Sequence, residues 1–432
     1  MNKKRICIYW FRRDLRLDDN HALWQATQSK FPVLPIFIFD EHFYIQFPSN
    51  DKRFNLIYDR LNHIHHQLAN SGSGILVLKG KVLDVFRELS RKFDIAAVYC
   101  NEDYEPYTIK RDNELKLWLN QNGIVFSAHK DQVIFHKNEV LKDDGKPYTV
   151  YTPYKNKWLS LFKEDKLLHF SSETQLPKLY QFQNSFPTKE QLGIKSNTYL
   201  LKPLQINNIF DYEKYRDLPA LDRTSNASVH LRFGFISIRS LLTKAIKINR
   251  SYVNELIWRE FFMQILYHFP YVEHANFKSQ YNNLDWQNNE HHFELWCKGQ
   301  TGYPLVDAGM RELNETGYMH NRVRMVVASF LTKHLLIDWR WGEAYFAQHL
   351  LDYELSSNNG NWQWAASTGC DAVPYFRIFN PNTQLEKFDK NADYVKKWIP
   401  DFNPTNYFQP IIKHEEARKR TLEVYKKLRL PD

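Results

Sequence analysis

The sequence predicts an α/β domain with a parallel sheet, followed by an all-α domain. In the first part of the chain, short apolar runs alternate with helical patterns, which is typical of a parallel sheet covered by helices. From about residue 206, long helical patterns dominate and β-branched alternation disappears. A chain of 432 residues is also too long for one ordinary domain and suits two or three.

The first domain is placed at residues 1–130, and its elements follow one another in a regular order. Apolar periodicity predicts helices over 56–68 and 82–93, and a third helix over 109–122 with Gly123 at the position where glycine commonly ends a helix. Five short apolar runs are predicted as strands, at residues 6–10, 33–39, 75–78, 96–100 and 124–126.

The rest of the chain divides into a connector and a helical domain. Residues 131–205 are polar, rich in lysine and interrupted by proline, so they are interpreted as a long connector packed over the surface. Residues 206–432 are predicted to be all-α, with no internal repeat. The clearest helical patterns in that domain cover 253–267, 304–315, 320–336 and 342–352.

Composition favours a soluble protein with an acidic partner. Hydrophobic residues make up 43% and charged residues 25% of the chain, and the net charge is +9. A basic excess favours nucleic acid as the first candidate partner. Aromatic residues reach 16%, with 12 Trp, which fits either a large aromatic core or stacking on a base or a flat cofactor.

Several common functions are excluded by missing motifs. The four cysteines are far apart and no ligand spacing is visible, so we expect free thiols, a cytoplasmic protein and no metal site. No secretory signal and no apolar stretch long enough to span a membrane is present. The Rossmann-like sheet lacks the dinucleotide fingerprint GxGxxG, and no phosphate-binding loop, HExxH or GxSxG motif occurs.

Unusual residues cluster in the helical half. Glu255 and Trp258 stand three apart and Asn321 and Met325 stand four apart, so each pair shares one face of a helix. Trp362 and Trp364 stand two apart, which sends their rings in nearly opposite directions. A carboxylate, an amide, a thioether and indoles on neighbouring helices suit a pocket for a flat ligand with polar edges.

Six strings of residues in this order resemble the photolyase/cryptochrome family, and specifically its class I cyclobutane pyrimidine dimer photolyases. The resemblance runs through both domains and is weakest in the connector. It implies a carbon–carbon lyase that repairs DNA under blue light. The strings that carry it are 10–17, 255–261, 301–304, 319–325, 358–367 and 375–381.

The resemblance implies FAD bound in the helical domain. Asp352 and Glu354 match an acidic pair near the isoalloxazine ring, with Arg324 as the charge partner of Asp352, and Asn358 matches the position facing flavin N5. Relatives often have Asp at position 354 and Leu at position 227, so Glu354 and Ala227 depart from the pattern. The segment implied for the FAD phosphates and ribityl chain is formed by Tyr212, Thr224, Ser225, Asn226, Ala227 and Ser228.

The same resemblance implies a substrate pocket for a flipped-out dimer, lined by Glu255, Trp258, Asn321, Met325 and Trp364. Excited reduced FAD passes an electron to the dimer, and cleavage returns it. Trp258 and Trp364 would stack on the dimer, while Glu255 and Asn321 would hydrogen-bond it. We expect Glu255 to be protonated or to share a proton, since burial would favour this. The string His320-Asn321-Arg322, just before Met325, resembles the cyclobutane pattern rather than that of the (6–4) photolyases.

Two further sets of residues follow from the resemblance. Trp286, Trp339 and Trp362 match an electron-hopping chain from the surface to the flavin, with Trp296 near enough in sequence to make the outermost position uncertain. The residues implied for contacts with phosphates of ultraviolet-damaged DNA are Arg216, Arg322, Arg377, Gln384 and Lys155.

The antenna pigment and the biological role stay open. Pro106, Tyr107 and Thr108 follow Tyr104-Glu105 in place of the Asn-Glu pair of folate-binding relatives, which argues against a folate and leaves a deazaflavin, a second flavin such as FMN, or none. The alternatives to cyclobutane repair are a cryptochrome-type blue-light receptor, a (6–4) photolyase and a flavin-free DNA-binding module. We expect a monomer with no membrane association and no obligate protein partner.

Overall fold

The computed structural model describes residues 3–428 and divides the chain into two compact units, each built from separate stretches of sequence. The sheet unit comprises residues 1–139, 160–204 and 226–247, and the helical unit comprises residues 140–159, 205–225 and 248–432. The domain limits placed at residues 130 and 205 stay predictions, because these units are defined by packing and not by sequence.

The sheet unit contains the five predicted strands, all parallel, in the order β3-β2-β1-β4-β5. This order reverses direction between β1 and β4, as in doubly wound α/β folds, and confirms the predicted fold class. The central strand β1 is buried over six of its seven residues, as expected for a strand covered on both faces. The strands are β1 (Arg5–Phe11), β2 (Val33–Asp40), β3 (Leu76–Gly80), β4 (Asp94–Asn101) and β5 (Val125–His129).

Helices cover the sheet, and buried ion pairs tie its loops together. Asp131 bonds both Arg16, at 2.6 Å, and Arg239, at 2.8 Å, and Arg239 also bonds Asp19, at 3.1 Å. The α-helices of this unit are His21–Thr27, Glu41–Gln46, Lys52–Ala69, Val82–Lys92, Pro106–Gln121, Lys189–Leu192, Ala227–Arg232 and Ile238–Ile248, with 3₁₀ turns at Glu164–Lys166 and Ser172–Lys178.

The helical unit has no strand among the residues that are described. Its α-helices are Tyr151–Leu161, Tyr212–Tyr215, Arg250–His268, Glu290–Cys297, Pro304–Thr316, Asn321–Ser329, Trp339–His349, Leu355–Ala366, Pro381–Phe388, Asp393–Trp398 and His414–Lys426. Shorter turns lie at Ile206–Ile209, Pro270–Glu273 and Ser279–Asn283, which are 3₁₀, and at Phe330–His334, which is π-helical.

Three expectations for this region need correction. The stretch read as irregular connector contains the helix Tyr151–Leu161, which buries Tyr151, Tyr154 and Trp158 at helical spacing. The pattern over 320–336 is not one α-helix, because it changes to a π-turn at Phe330. The pattern over 342–352 belongs to a helix that begins earlier, at Trp339, because the Asp338 side chain caps it by accepting a hydrogen bond from Arg340 N.

Two glycines, which have no side chain, allow three helices of this unit to pack closely. A Cβ at Gly342 would collide with the Trp362 ring, and one at Gly360 would collide with the Phe262 ring. Trp339–His349 therefore packs tightly on Leu355–Ala366, which packs in turn on Arg250–His268. Across residues 3–428, none of the helices combines the length and the apolar character that crossing a bilayer requires.

Candidate active site

A cavity in the helical unit brings together eight of the residues singled out in the sequence. It is lined from the helices Asn321–Ser329 and Leu355–Ala366 and from the residues that precede the second of them. Substrate-type and flavin-type positions therefore share one cavity wall. The eight residues are Asn321, Arg324, Met325, Asp352, Glu354, Asn358, Trp362 and Trp364.

The predicted ion pair between Arg324 and Asp352 is present at this cavity. Arg324 Nη2 donates to both oxygens of Asp352, at 2.9 and 3.1 Å, and Arg324 Nε donates to Met319 O at 2.8 Å. The Asp352 side chain is only 5% exposed. Two bonds to one carboxylate and a third to the backbone fix the guanidinium in place, so the pair presents a rigid polar edge to the cavity.

Asn358 is held by a glutamate that the sequence did not single out. Asn358 Nδ2 donates to Glu343 Oε1 at 2.8 Å and to Glu343 O at 3.0 Å. Burial raises the pKa of Glu343 to about 7, although the bond from Asn358 acts in the opposite direction. With Nδ2 occupied, Asn358 Oδ1 accepts no hydrogen bond from residues 3–428 and is available to an N–H donor in the cavity.

Glu354 faces an arginine of the neighbouring helix. Its carboxylate accepts from Arg259 Nη2 at 3.4 Å and from Ser357 Oγ at 3.2 Å, and its side chain is buried. Arg259 follows Trp258 directly in the sequence. The departure from Asp at position 354 is thus accompanied by an ion pair that ties the Arg250–His268 helix to the cavity wall, and a direct contact between Glu354 and a flavin stays a prediction.

Glu255 is paired with Arg216 and does not line this cavity. Arg216 Nη1 donates to Glu255 Oε1 at 2.7 Å, and both side chains are 31% exposed. We expected a protonated Glu255 and a phosphate-binding Arg216. In the structure the two side chains are bonded to each other, and both expectations stay predictions. Substrate or DNA would have to compete for both groups.

Trp258 lies in an aromatic stack with a residue of the predicted connector. The rings of Tyr151 and Trp258 are parallel within 8°, with centroids 3.5 Å apart, and Phe262 stacks at 5.5 Å. Tyr151 Oη donates to Asn254 O at 2.7 Å, which fixes its ring. The sequence did not reveal this contact, because nothing in a polar connector marks one tyrosine as a partner of a distant tryptophan.

The segment implied for the FAD phosphates crosses the boundary between the two units. In the helical unit, the Ser225 hydroxyl is 2.9 Å from the hydroxyl of Tyr252, whose ring packs edge-on against Tyr212, and Thr224 O accepts from Asn208. In the sheet unit, Asn226 has a left-handed backbone with φ of 54°, and Ala227 and Ser228 begin the helix Ala227–Arg232. Their contacts with FAD stay predictions.

Two of the three tryptophans of the expected electron-hopping chain are neighbours. Trp339 and Gly342 share one face of a helix, and Gly342 packs against the Trp362 ring. Trp362 and Trp339 are almost fully buried, and Trp339 Nε1 donates to Asn276 at 2.7 Å.

Trp286 suits the outer end of that chain better than Trp296 does. Gln287 N donates to Leu336 O at 2.7 Å, which places the segment after Trp286 beside the start of the Trp339 helix. Trp286 is partly exposed, whereas Trp296 is fully buried with its ring 6.1 Å from that of Trp362. An outermost donor must reach water, so exposure favours Trp286.

The residues expected to bind DNA differ in their exposure and in the contacts that their side chains already make. Arg322 is bonded to Asp217 at 2.7 Å and lies over the Phe388 ring. Arg377 is exposed, and its guanidinium bonds no acid within residues 3–428. Gln384 is half-buried, and the Lys155 ammonium lies 6.0 Å from the centre of the Tyr151 ring. DNA contact by any of them stays a prediction.

Comparison with known proteins agrees with both units. A family model described as DNA photolyase matches residues 7–177, and one described as the FAD-binding domain of DNA photolyase matches residues 252–405. The Escherichia coli deoxyribodipyrimidine photo-lyase is 36% identical, with 98% of each chain covered. Two solved structures have TM-scores of 0.86: a class III photolyase of Agrobacterium tumefaciens, 31% identical with 99% of this chain and 98% of that chain covered, and an archaeal photolyase of Sulfolobus tokodaii with two FAD molecules, 35% identical with 98% and 99% covered.

The polar groups that line the cavity suit the cofactor that these comparisons name. The available acceptor on Asn358 suits a ring N–H, and the Arg324–Asp352 pair offers charge and hydrogen bonds to the polar edge of an isoalloxazine. Asn358, Arg324 and Asp352 all lie in the region matched by the FAD-binding model. With matches over both units and relatives above 30% identity along nearly the whole chain, this protein belongs to the DNA photolyase family.

Proposed function

We propose that this chain is a deoxyribodipyrimidine photo-lyase that repairs cyclobutane pyrimidine dimers in ultraviolet-damaged DNA. The observation that carries the proposal is that residues expected to bind the substrate and residues expected to bind FAD line one cavity. The substrate residues are Asn321, Met325 and Trp364, and the FAD residues are Arg324, Asp352 and Asn358. Light-driven electron transfer requires cofactor and substrate to be close, and these two sets of side chains line the same wall. Relatives that carry this enzyme name cover nearly the whole chain.

The cofactor residues would hold and tune FAD. When bound in its reduced form and excited by light, FAD supplies the electron for repair. Asn358 would accept a hydrogen bond from a ring N–H through Oδ1, with its orientation set by Glu343. Arg324 and Asp352, locked to each other, would bond the polar edge of the ring without reorganising, since both are already fixed.

The residues proposed to contact the substrate would bind a flipped-out dimer. Trp364 and Trp258 are both partly exposed and offer flat apolar faces to the two pyrimidine rings. Asn321 is exposed at the cavity and offers an amide to the carbonyl and N–H groups of a base. Glu255 would exchange its bond to Arg216 for one to the dimer, and Met325 would fill the space beside it.

The surrounding cations would bind the DNA backbone. Arg377 is exposed, and a net charge of +9 favours association with a polyanion. Arg322 and Arg216 would contact phosphates after giving up part of their bonds to Asp217 and Glu255, and Gln384 and Lys155 would add weaker contacts. Trp362, Trp339 and Trp286 would carry electrons from the surface to oxidised FAD, outside the repair step itself.

We further infer a cytoplasmic monomer, and the sheet unit as the place where an antenna pigment would bind. In the sheet unit, the His42 and Tyr107 rings stack at 3.5 Å near the ends of the strands where doubly wound sheets bind ligands. A deazaflavin, a second flavin such as FMN, or none is compatible with this region. Chromatography of the pigments released by denaturation identifies the antenna, and light scattering after gel filtration measures the oligomeric state.

The test is repair of oligonucleotides that carry one defined lesion. Under blue light with reductant, we expect thymine to be restored from a cyclobutane dimer and not from a (6–4) product. Repair of the (6–4) product alone would move the assignment to that class. Repair of neither lesion, with reduced FAD bound and DNA bound, would leave the photoreceptor as the alternative. A protein that purifies without flavin would contradict all three.

A further inference from the structure

A groove of about 770 Å³ on the sheet unit is unrelated to the cavity of the helical unit. Three of its lining residues, Asp18, His169 and Glu173, form what we call the imidazole–carboxylate cluster. One nitrogen or oxygen atom from each of the three side chains lies within 4.8 Å of the corresponding atoms of the other two. The cluster joins residues about 150 positions apart, so no spacing in the sequence could reveal it.

The cluster contains one hydrogen-bond acceptor that no described residue satisfies. His169 Nε2 is 3.1 Å from Asp18 Oδ1. Glu173 Oε2 is buried and has no hydrogen-bond partner in the described residues. No lysine or arginine within those residues forms an ion pair with Asp18 or Glu173. A buried carboxylate oxygen without a donor is costly, and a bound cation would remove that cost.

The backbone around the cluster is held in place before any ligand arrives. Beside His169, Phe170 N donates to Asp19 Oδ1 at 2.9 Å. Beside Glu173, the Ser172 hydroxyl accepts from Asn20 N at 3.0 Å and donates to Leu17 O. Both segments that carry the ligands are therefore tied to each other, which lowers the entropy cost of gathering ligands around an ion.

A further carboxylate, that of Asp19, lies near the Nδ1 nitrogen of His169. His169 Nδ1 is 3.8 Å from Asp19 Oδ1, and Asp19 is fixed by Arg239 at 3.1 Å and by the Ser237 hydroxyl. Metal-binding histidines commonly direct the ring nitrogen that does not touch the metal toward such a carboxylate. With Nε2 on the Asp18 side, the ring of His169 is oriented as a metal ligand would be.

We propose that Asp18, His169 and Glu173 bind one divalent first-row transition-metal ion. One imidazole and two carboxylates are a mixed nitrogen and oxygen set that suits Zn²⁺ or Mn²⁺ better than the oxygen-only ligands preferred by Ca²⁺. The Asp18 and His169 side chains are 61% and 50% exposed, so the remaining coordination positions face the groove and take water. The sequence predicted no metal site.

The test is metal binding to the untagged, FAD-loaded protein. Calorimetric titration with Zn²⁺ and with Mn²⁺ should show one site, and Mn²⁺ bound there should lose its free-ion paramagnetic resonance signal. The double variant Asp18→Asn/Glu173→Gln should bind at least about tenfold more weakly. The double variant Glu164→Gln/Asp165→Asn removes two exposed carboxylates that precede His169 closely in the sequence, and it should bind like the parent protein.

Two results would overturn the proposal. One is no binding of either ion at millimolar concentration by the folded parent protein. The other is equal binding by the parent and both double variants, which would place the ion elsewhere. Folding of each variant is checked by its FAD absorption and melting temperature. His169→Gln, which keeps a polar side chain, should weaken binding to a similar degree.

Discussion

Two acid–arginine pairs in the helical unit differ in the solvent exposure of their side chains. In the Arg324–Asp352 pair the acid is 5% exposed and bonded twice, whereas in the Arg216–Glu255 pair both side chains are 31% exposed and joined by one bond. The first pair cannot separate without leaving a buried charge, while the second can exchange partners at low cost. This difference fits the proposal that the first pair holds the cofactor and the second contacts DNA.

The largest effect is expected from breaking the buried pair. Asp352→Asn leaves Arg324 without its counter-ion, so we expect the free energy of unfolding to fall by about 4 kcal/mol and FAD to be lost. The ratio of flavin to protein absorbance and urea unfolding measure both changes. Glu255→Gln breaks the exposed pair and is the matched control, with a change in stability below about 1 kcal/mol. Equal losses in the two variants would contradict the comparison.

The second effect is the pH dependence that comes from the buried Glu343. Its pKa is raised from 4.5 to about 7, so between these pH values the folded chain holds a proton that the unfolded chain has lost. The contribution of Glu343 to stability is therefore present below pH 4.5 and is lost as the pH rises through 7, by about 3 kcal/mol in total. Urea unfolding from pH 5 to 7 should show this slope, and Glu343→Gln should flatten it. An unchanged slope would show that Glu343 titrates normally.

A smaller effect separates stability from catalysis at the exposed pair. Glu255→Gln keeps the size of the side chain but removes the charge that now binds Arg216, so stability should hardly change. We expect the quantum yield of repair to fall about tenfold, since one hydrogen bond to the dimer is weakened. Yield is measured by actinometry on DNA with one cyclobutane dimer, with Asn382→Ala, at an exposed position, as the control. A yield equal to that of the parent protein would remove Glu255 from the site.

The smallest effect concerns the salt dependence of DNA binding. Arg377 has no acid partner in the described residues, so Arg377→Gln should reduce the slope of log affinity against log salt by about 1. Arg216 must first release Glu255, so Arg216→Gln should change the slope by less. Fluorescence anisotropy from low to moderate salt measures both slopes. A larger change for Arg216 would mean that its bond to Glu255 does not compete with DNA.

The sheet unit could be predicted well because its signals are local. The apolar runs over 33–39 and 96–100 became β2 and β4 with shifts of one or two residues, because buried parallel strands are continuous apolar segments. The boundary errors in the helical unit have local causes as well. Leu335 N donates to Phe330 O, five residues back, and this π-turn ends the helix early in a way that apolar periodicity does not encode.

The site was only partly predictable because half of it depends on contacts between distant segments. Asn321, Met325 and Trp364 are recognisable from their own helices and the resemblance, and they do line one cavity. The stack of Tyr151 on Trp258 and the bond of Asn358 to Glu343 arise only when separate helices meet. Such partners leave no mark in the spacing of either segment, so the sequence analysis could not find them.

Quenching of flavin fluorescence by bound DNA tests whether cofactor and lesion share the cavity of the helical unit. DNA containing one cyclobutane dimer, and matched undamaged DNA, are added in the dark to the reduced, FAD-loaded protein while flavin fluorescence is recorded. We expect strong quenching by the dimer only, reduced by Trp364→Ala at saturating DNA, because an electron acceptor within the cavity quenches the excited flavin. Tight binding of dimer DNA with unchanged flavin fluorescence would contradict a shared cavity.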